Sequence, residues 1–178
     1  FQLGGPAKPV TDGPGDMTPV QVSTFQGLSE GLPATQLSGS AQLDGVLYAV
    51  AEQGLYALPS GTNKWVQVEL PSKASAVTRI DTEIYVTAAD GSHGGLFHLG
   101  FGDDAFAALA SAPDAAAYAL VKKGSELLLA TSSGLYASKD RGATWAVRST
   151  NALFNTPVST LVASAAATRI SCANSLGA

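Results

Sequence analysis

Several groups of residues in this 178-residue chain are of types that could do chemistry. Ser138, Asp140, Gly142, Thr144 and Trp145 sit within eight positions, setting a carboxylate among hydroxyls beside a glycine. That mixture forms turns, because short polar side chains bond nearby backbone groups. Asp90, His93, His98 and the pair Asp103-Asp104 bring imidazoles and carboxylates into one stretch. His93 and His98 are five apart, so a strand would send them to opposite faces, and turn roles are expected over one shared metal ion. Asp12 and Asp16, in the segment Thr11-Asp-Gly-Pro-Gly-Asp16, carry the oxygen ligands that calcium takes, but a Gly/Pro turn with solvated carboxylates is the simpler reading. The lone cysteine, Cys172, rules out an intrachain disulfide and lies in an alternating run that suits a small buried hydrophobe. No Ser-His-Asp spacing, phosphate-binding loop, dinucleotide fingerprint or Cys-x-x-Cys pair occurs. The sequence therefore predicts no catalytic, cofactor-binding or metal-binding set.

The elements that must position these residues repeat. Gly134 to Trp145 (GLYASKDRGATW) aligns without a gap with Gly54 to Trp65 (GLYALPSGTNKW) and Gly95 to Phe106 (GLFHLGFGDDAF). Each copy opens with glycine, a large apolar residue and an aromatic, and each closes on an aromatic. A period of about 40 residues built from such short apolar runs is the mark of propeller blades. Ahead of each copy lie two β-rich runs: 37–43 then 45–50, 76–80 then 83–87, and 118–121 then 126–131. Behind each closing aromatic comes an outer strand, at 65–70, 106–109 and 145–149. Inner strands should be apolar on both faces, outer ones alternating, and no helix is expected. Small inner residues, Ala49, Ala88, Ala130 and Ala173, suit close packing near an axis.

The predicted fold is thus all-β: a small propeller of four blades, each of four antiparallel strands. Residues 1–16 form an N-terminal arm and loop, and 17–36 an outer strand and the approach to the first full blade. Blade 1 spans 37–70, blade 2 spans 76–110 and blade 3 spans 114–150. The fourth joins 157–178 to 1–23. Its two early strands fall at 158–163 and 168–173, after which Gly177 stands where the repeat begins again. Joined end to end, Gly177-Ala178-Phe1-Gln2-Leu3-Gly4 matches Gly95 to Gly100, so Phe1, Leu3 and Gly177 are expected to close the blade. Phe1 would take the slot held elsewhere by Tyr56, Phe97 and Tyr136. An unclosed blade would leave open strand edges. A closed monomer is favoured, with a two-chain ring or strand exchange between chains as competing arrangements.

The segment Ser138 to Trp145 resembles the Asp-box, the BNR repeat of sialidases and sortilin-like receptors, S-x-D-x-G-x-T-W. All five fixed positions match. The resemblance implies a structural turn between the two outer strands: Asp140 accepts turn N–H groups, Gly142 takes a positive φ, and Trp145 packs between blades. The other two copies have lost the box, with Ser60, Thr62 and Lys64, or Phe101, Asp103 and Ala105, at its positions. A sialidase would also need an Arg-Ile-Pro segment, an arginine triad, an acid/base Asp and a Tyr–Glu pair. Here Arg79-Ile80 and Arg169-Ile170 continue into Asp81 and Ser171, and the chain has only the further arginines Arg141 and Arg148.

Composition limits the partners. Charged residues make up 13% and the net charge is −4, against the clustered cations that nucleic acid requires. Lys122-Lys123 is the one adjacent pair of cations and reads as a solvated hairpin turn. No run of about 18 apolar residues is present, so no membrane span is expected. A chain starting at Phe1 suggests removal of a targeting segment or a piece of something longer. The expectation is a non-enzymatic, secreted or cell-surface module without cofactor, presenting loops to a glycan or protein partner, with self-assembly through the split blade as a variation. The alternative is a piece of a sialidase-like glycoside hydrolase. For the closure, mixed isotope-labelled and unlabelled chains cross-linked between positions 2 and 177 should give same-isotope links, whereas abundant mixed pairs would show that a neighbouring chain fills the slot.

Overall fold

A computed structural model describes residues 30–33, 36–91, 93–148, 158–163 and 170–173. These form an all-β protein with three sheets of four antiparallel strands. The first sheet contains β1 (Gly39–Leu43), β2 (Val46–Ala51), β3 (Gly54–Leu58) and β4 (Val66–Val68), in that order. The second repeats the order with β5 (Ala74–Ile80), β6 (Glu83–Asp90), β7 (His93–Leu99) and β8 (Ala107–Ala108). The third has β9 (Ala117–Lys123), β10 (Glu126–Thr131), β11 (Gly134–Ser138) and β12 (Ala146–Val147). A further antiparallel pair, β13 (Thr160–Ala163) and β14 (Ile170–Ala173), follows. Each sheet is a blade of a small β-propeller, and β1, β5, β9 and β13 pack in succession. The residues expected to close the last blade, Phe1, Leu3 and Gly177, and the outer strand within 17–36, lie outside the described residues.

The second strand of each blade explains the stacking. Side chains alternate along a strand, and here both alternating sets are apolar, so the strand feeds two cores at once. In β6, Ile84, Val86 and Ala88 join a cluster with Tyr48, Val50 and Leu55 of blade 1, while Tyr85 faces blade 3. In β10, Leu127 and Leu129 pack with Ile80, Tyr85 and Leu96 of blade 2, and Leu128 and Ala130 pack with Val158 and Leu161. Ala49, Ala88 and Ala130 have no exposed surface, as expected of small residues where strands crowd.

The repeated aromatics also share one direction. Phe97 and Phe106 face blade 1, where the Phe106 and Tyr48 rings meet edge to face at 5.6 Å and 89°. Tyr136 and Trp145 face blade 2. Tyr56 and Trp65 belong to a separate cluster on the far side of blade 1, with Leu32 against it. There the Trp65 N–H donates to the Glu30 carbonyl at 2.8 Å. Gly31, at φ 83°, lies so close that a Cβ would fall 2.4 Å from the Trp65 carbonyl oxygen.

The outer strands depart from the expected alternation. They shorten to Val66–Val68, Ala107–Ala108 and Ala146–Val147, and nearly all of these residues are exposed. At the rim, blades diverge, so neither face of an outer strand meets a neighbouring sheet and little apolar area is gained by extending it. The inner strands carry the stability. Leu129→Ala removes a side chain with no exposed surface and should cost about 2–5 kcal/mol, read from the midpoint of denaturant unfolding.

Candidate functional site

Antiparallel order sends the first-to-second and third-to-fourth turns of a blade to the same end of its sheet. At that end the first-to-second turns are two-residue hairpins whose first residue is left-handed: Asp44 at φ 51°, Asp81 at φ 54° and Gly124 at φ 61°. The third-to-fourth turn of blade 3 holds Ser138, Asp140, Gly142, Thr144 and Trp145 together. The Ser138 hydroxyl donates to Asp140 Oδ1 at 2.7 Å and accepts the Gly142 N–H at 2.7 Å. The Thr144 N–H donates to Asp140 Oδ1 at 2.9 Å, and its hydroxyl to Oδ2 at 2.5 Å. The indole Nε1–H of Trp145 donates to the Gly142 carbonyl at 3.1 Å, and the Ser111 hydroxyl, from the blade 2–3 connection, donates to the same carbonyl.

This donor set favours the charged form of Asp140. Its pKa falls from the ordinary 3.8 to about 2, first through the Thr144 hydroxyl, then Ser138 and the Thr144 N–H. Gly142, at φ 90°, supplies a backbone conformation that side chains rarely adopt, and a Cβ there would also displace the Leu109 side chain, whose Cδ2 would stand 2.4 Å away. Trp145 is half-buried against blade 2, rather than fully enclosed between blades.

The neighbouring copies close the same turn by other means. In blade 2 the Gly100 N–H donates to Asp103 Oδ2 at 2.8 Å, and the Asp103 N–H to the Gly100 carbonyl at 3.2 Å. In blade 1 the Thr62 hydroxyl donates to the Pro59 carbonyl at 2.9 Å. Asp103, a candidate metal ligand by sequence, is therefore a turn cap.

Between blades 2 and 3 this end opens into a cavity of about 220 Å³. Ile80, Tyr85 and Leu127 line it together with Lys122, Lys139, Arg141, Asp81 and Glu83. Lys122 is no free turn lysine: its Nζ donates to Asp81 Oδ1 at 2.7 Å and Oδ2 at 2.5 Å, tying blade 3 to blade 2. Arg79 ties blade 2 to blade 1 in the matching place, donating from Nη1 to the Gln42 carbonyl at 3.2 Å. The Tyr85 hydroxyl donates to Glu83 Oε2; burial, then this acceptor, raises its pKa far above neutrality. Deeper between the blades, the Ser75 hydroxyl donates to the Ala117 carbonyl at 2.5 Å and meets Thr87 Oγ1 at 2.9 Å.

The histidines do not converge. His93 is exposed and approaches Asp114 at 3.3 Å, whereas His98 stacks over Tyr85 with centroids 6.2 Å apart. Among the described residues no three His, Cys, Asp or Glu side chains gather as metal ligands would. Asp12, Asp16 and Arg169 lie outside the described residues, and Cys172 is on β14. Sequence reasoning missed the cationic lining of the cavity. Its signal was present in the aligned copies, since Lys139 and Arg141 stand where the second copy has Gly100 and Gly102.

No protein-family model and no curated protein sequence matches the chain. Solved structures do. The computationally designed Ika4 protein aligns at 14% identity and a TM-score of 0.59, over 87% of this chain and 96% of its own. The extracellular domain of the one-component system BT4673 from B. thetaiotaomicron aligns at 14% and 0.54, over 71% of this chain. An ancestral GH74 enzyme aligns at 12% and 0.54, over 68%. The chain spans only 18% and 20% of those last two proteins. Propeller-type proteins at such identities share the fold with this chain. Among the described residues no helix is long and apolar enough to cross a membrane.

The Asp140 turn gives a pH-dependent expectation. A carboxyl whose folded pKa is depressed stabilises the fold above its unfolded pKa and loses that contribution as pH falls through the folded one. The stability gap between wild type and Asp140→Ala should be constant above about pH 5 and shrink between pH 3.8 and about 2. Paired denaturation curves across that range would show it, and a gap unchanged down to pH 2 would contradict it.

Proposed function

We propose that this chain is a non-catalytic, exported binding module that presents the turn end of a propeller to a glycan or protein partner. One observation carries this reading: four of the carboxylates at that end are already committed as acceptors within the protein. Asp140 is held by Ser138 and Thr144, Asp81 by Lys122, Glu83 by Tyr85, and Glu126 by Arg148 at 3.0 Å. Glycoside hydrolysis needs one carboxyl protonated near neutral pH and another free to act as base or nucleophile. Asp140, ionised down to about pH 2, is the opposite of a general acid. The Asp-box reading of Ser138 to Trp145 fits this assignment, because it gives the carboxylate a turn to hold rather than a substrate to attack.

Secretion or display at the cell surface accords with the extracellular setting of one structural neighbour. Closure of the fourth blade by Phe1, Leu3 and Gly177 within one chain would make the module a self-contained monomer. The second reading, a piece of a glycoside hydrolase, draws on the propeller of the GH74 enzyme, a likeness of fold. A panel of chromogenic glycosides and a glycan array separate the two readings. The expected outcome is retention of glycans or protein ligands without turnover. Turnover abolished by one Asp or Glu substitution would reverse the assignment.

A further inference from the structure

The turn carrying Arg141 places a large charged residue where the other blades use glycine. In the aligned copies its position is Gly61, at φ 76°, and Gly102, at φ 82°. Arg141 adopts the same left-handed backbone, at φ 57°. L-residues with a Cβ are disfavoured there, and glycine takes the conformation without steric cost. Blade 3 turns one residue later than its copies: the Ala143 N–H donates to the Asp140 carbonyl at 3.2 Å, where Thr62 bonds Pro59 and Asp103 bonds Gly100, so Gly142 takes the place of the turn glycine and Arg141 is a second left-handed residue before it. Backbone strain retained at one copy of a repeat marks a position whose side chain has a use.

The side chain lines the cavity between blades 2 and 3, as does Lys139. Neither Lys139 nor Arg141 makes a side-chain hydrogen bond or ion pair among the described residues, while Lys122, on the same wall, is already bonded to Asp81. Lys122, Lys139 and Arg141 outnumber Asp81 and Glu83 on this lining, so the two uncommitted cations give the rim a small positive excess above Ile80, Tyr85 and Leu127. Blade 1 against blade 2 has no such pair, because Gly100 and Gly102 occupy the matching positions.

We propose that this inter-blade cavity binds the carboxylate of a hexuronic acid residue within an acidic glycan. This deepens, and rests on, the reading of the turn end as a partner-binding face. Arginine's planar fork matches a carboxylate with two parallel hydrogen bonds, and Lys139 adds a second charge. The narrow exposed edges of Ile80, Tyr85 and Leu127 give a pyranose ring a small apolar contact, and the Thr82 and Ser125 hydroxyls, on the same lining, suit its hydroxyls. A volume of about 220 Å³ admits one sugar ring and not an extended ligand. The chain as a whole is negative, at −4, so this locally cationic pocket selects position on the surface and not acidic polymers at large.

Trigalacturonate is the probe, with its methyl ester, which keeps the sugar and removes the charge, and hexaglutamate, which keeps the charge and removes the sugar. Titration calorimetry on the full chain should show binding of trigalacturonate at least 10-fold tighter than of either control. Arg141→Gly should lose at least 10-fold in affinity while its melting temperature stays level or rises, since the left-handed position is relieved. A merely structural arginine would lower the melting temperature instead. Lys139→Gln, at an exposed turn position, should weaken binding with the fold unchanged. The inference is overturned if trigalacturonate does not bind, if the ester or hexaglutamate binds equally well, or if Arg141→Gly binds as wild type. Hydrolysis of trigalacturonate, lost in Arg141→Gly, would uphold the site and overturn the non-catalytic reading alone.

Discussion

The structure depends on one constraint: the second strand of each blade must be apolar on both faces. Such a strand has a neighbouring sheet on either side, so each alternate set of side chains enters a different core. Ile84, Val86 and Ala88 serve the core toward blade 1, and Tyr85 the core toward blade 3. Burial of this kind is additive from blade to blade, as in other repeat proteins, where each unit is stabilised by its contacts with its neighbours. It also accounts for the short rim strands. Once the inner strands have filled the space between sheets, Val66–Val68, Ala107–Ala108 and Ala146–Val147 have nothing to pack against on their outer reaches.

Apolar stacking alone leaves the rotation of one blade on the next weakly defined, and polar ties fix it. Lys122 to Asp81, Arg79 to the Gln42 carbonyl, Ser75 to the Ala117 carbonyl and Ser111 to the Gly142 carbonyl each cross between consecutive blades. The exposed pair is worth little in stability, since water screens it. Its value is geometric. These ties lie at the ends and margins of the sheets, where the aromatic closers Phe106 and Trp145 also reach back to the preceding blade. The turn end becomes a fixed surface on which side chains can be displayed.

On that surface the three copies of the turn show how a repeat acquires individuality. Thr62, Asp103 and the Ser138–Asp140–Thr144 set satisfy the same backbone need with different side chains. The turn is kept, its chemistry varies, and the positions not needed for it are free to change. Lys139 occupies such a position, whereas Arg141 lies inside the turn at a left-handed φ of 57°. Both side chains line the gap between blades, and neither contributes a side-chain hydrogen bond to the turn.

The sequence by itself indicated an all-β repeat, the inner strands of the three described sheets and a polar turn at Ser138 to Trp145. Those features follow from local rules: alternation along a strand, glycine at positive φ, and short polar side chains bonding the backbone beside them. The hairpin at Asp81-Thr82, the third strand from Gly134 and the apolar run 126–131 all fall where the pattern placed them. Only the tertiary structure decided which residues meet across blades. Lys122 and Asp81 are far apart in sequence, as are Arg141 and Tyr85, and no periodicity tells which cation finds an anion and which is left facing a cavity. Half-burial of Trp145, and the exposure of the outer strands that a simple alternation would have buried, were likewise decided there. Burial is a property of how close the neighbouring sheet comes, and the divergence of blades toward the rim is set by the assembled fold, not by any one repeat.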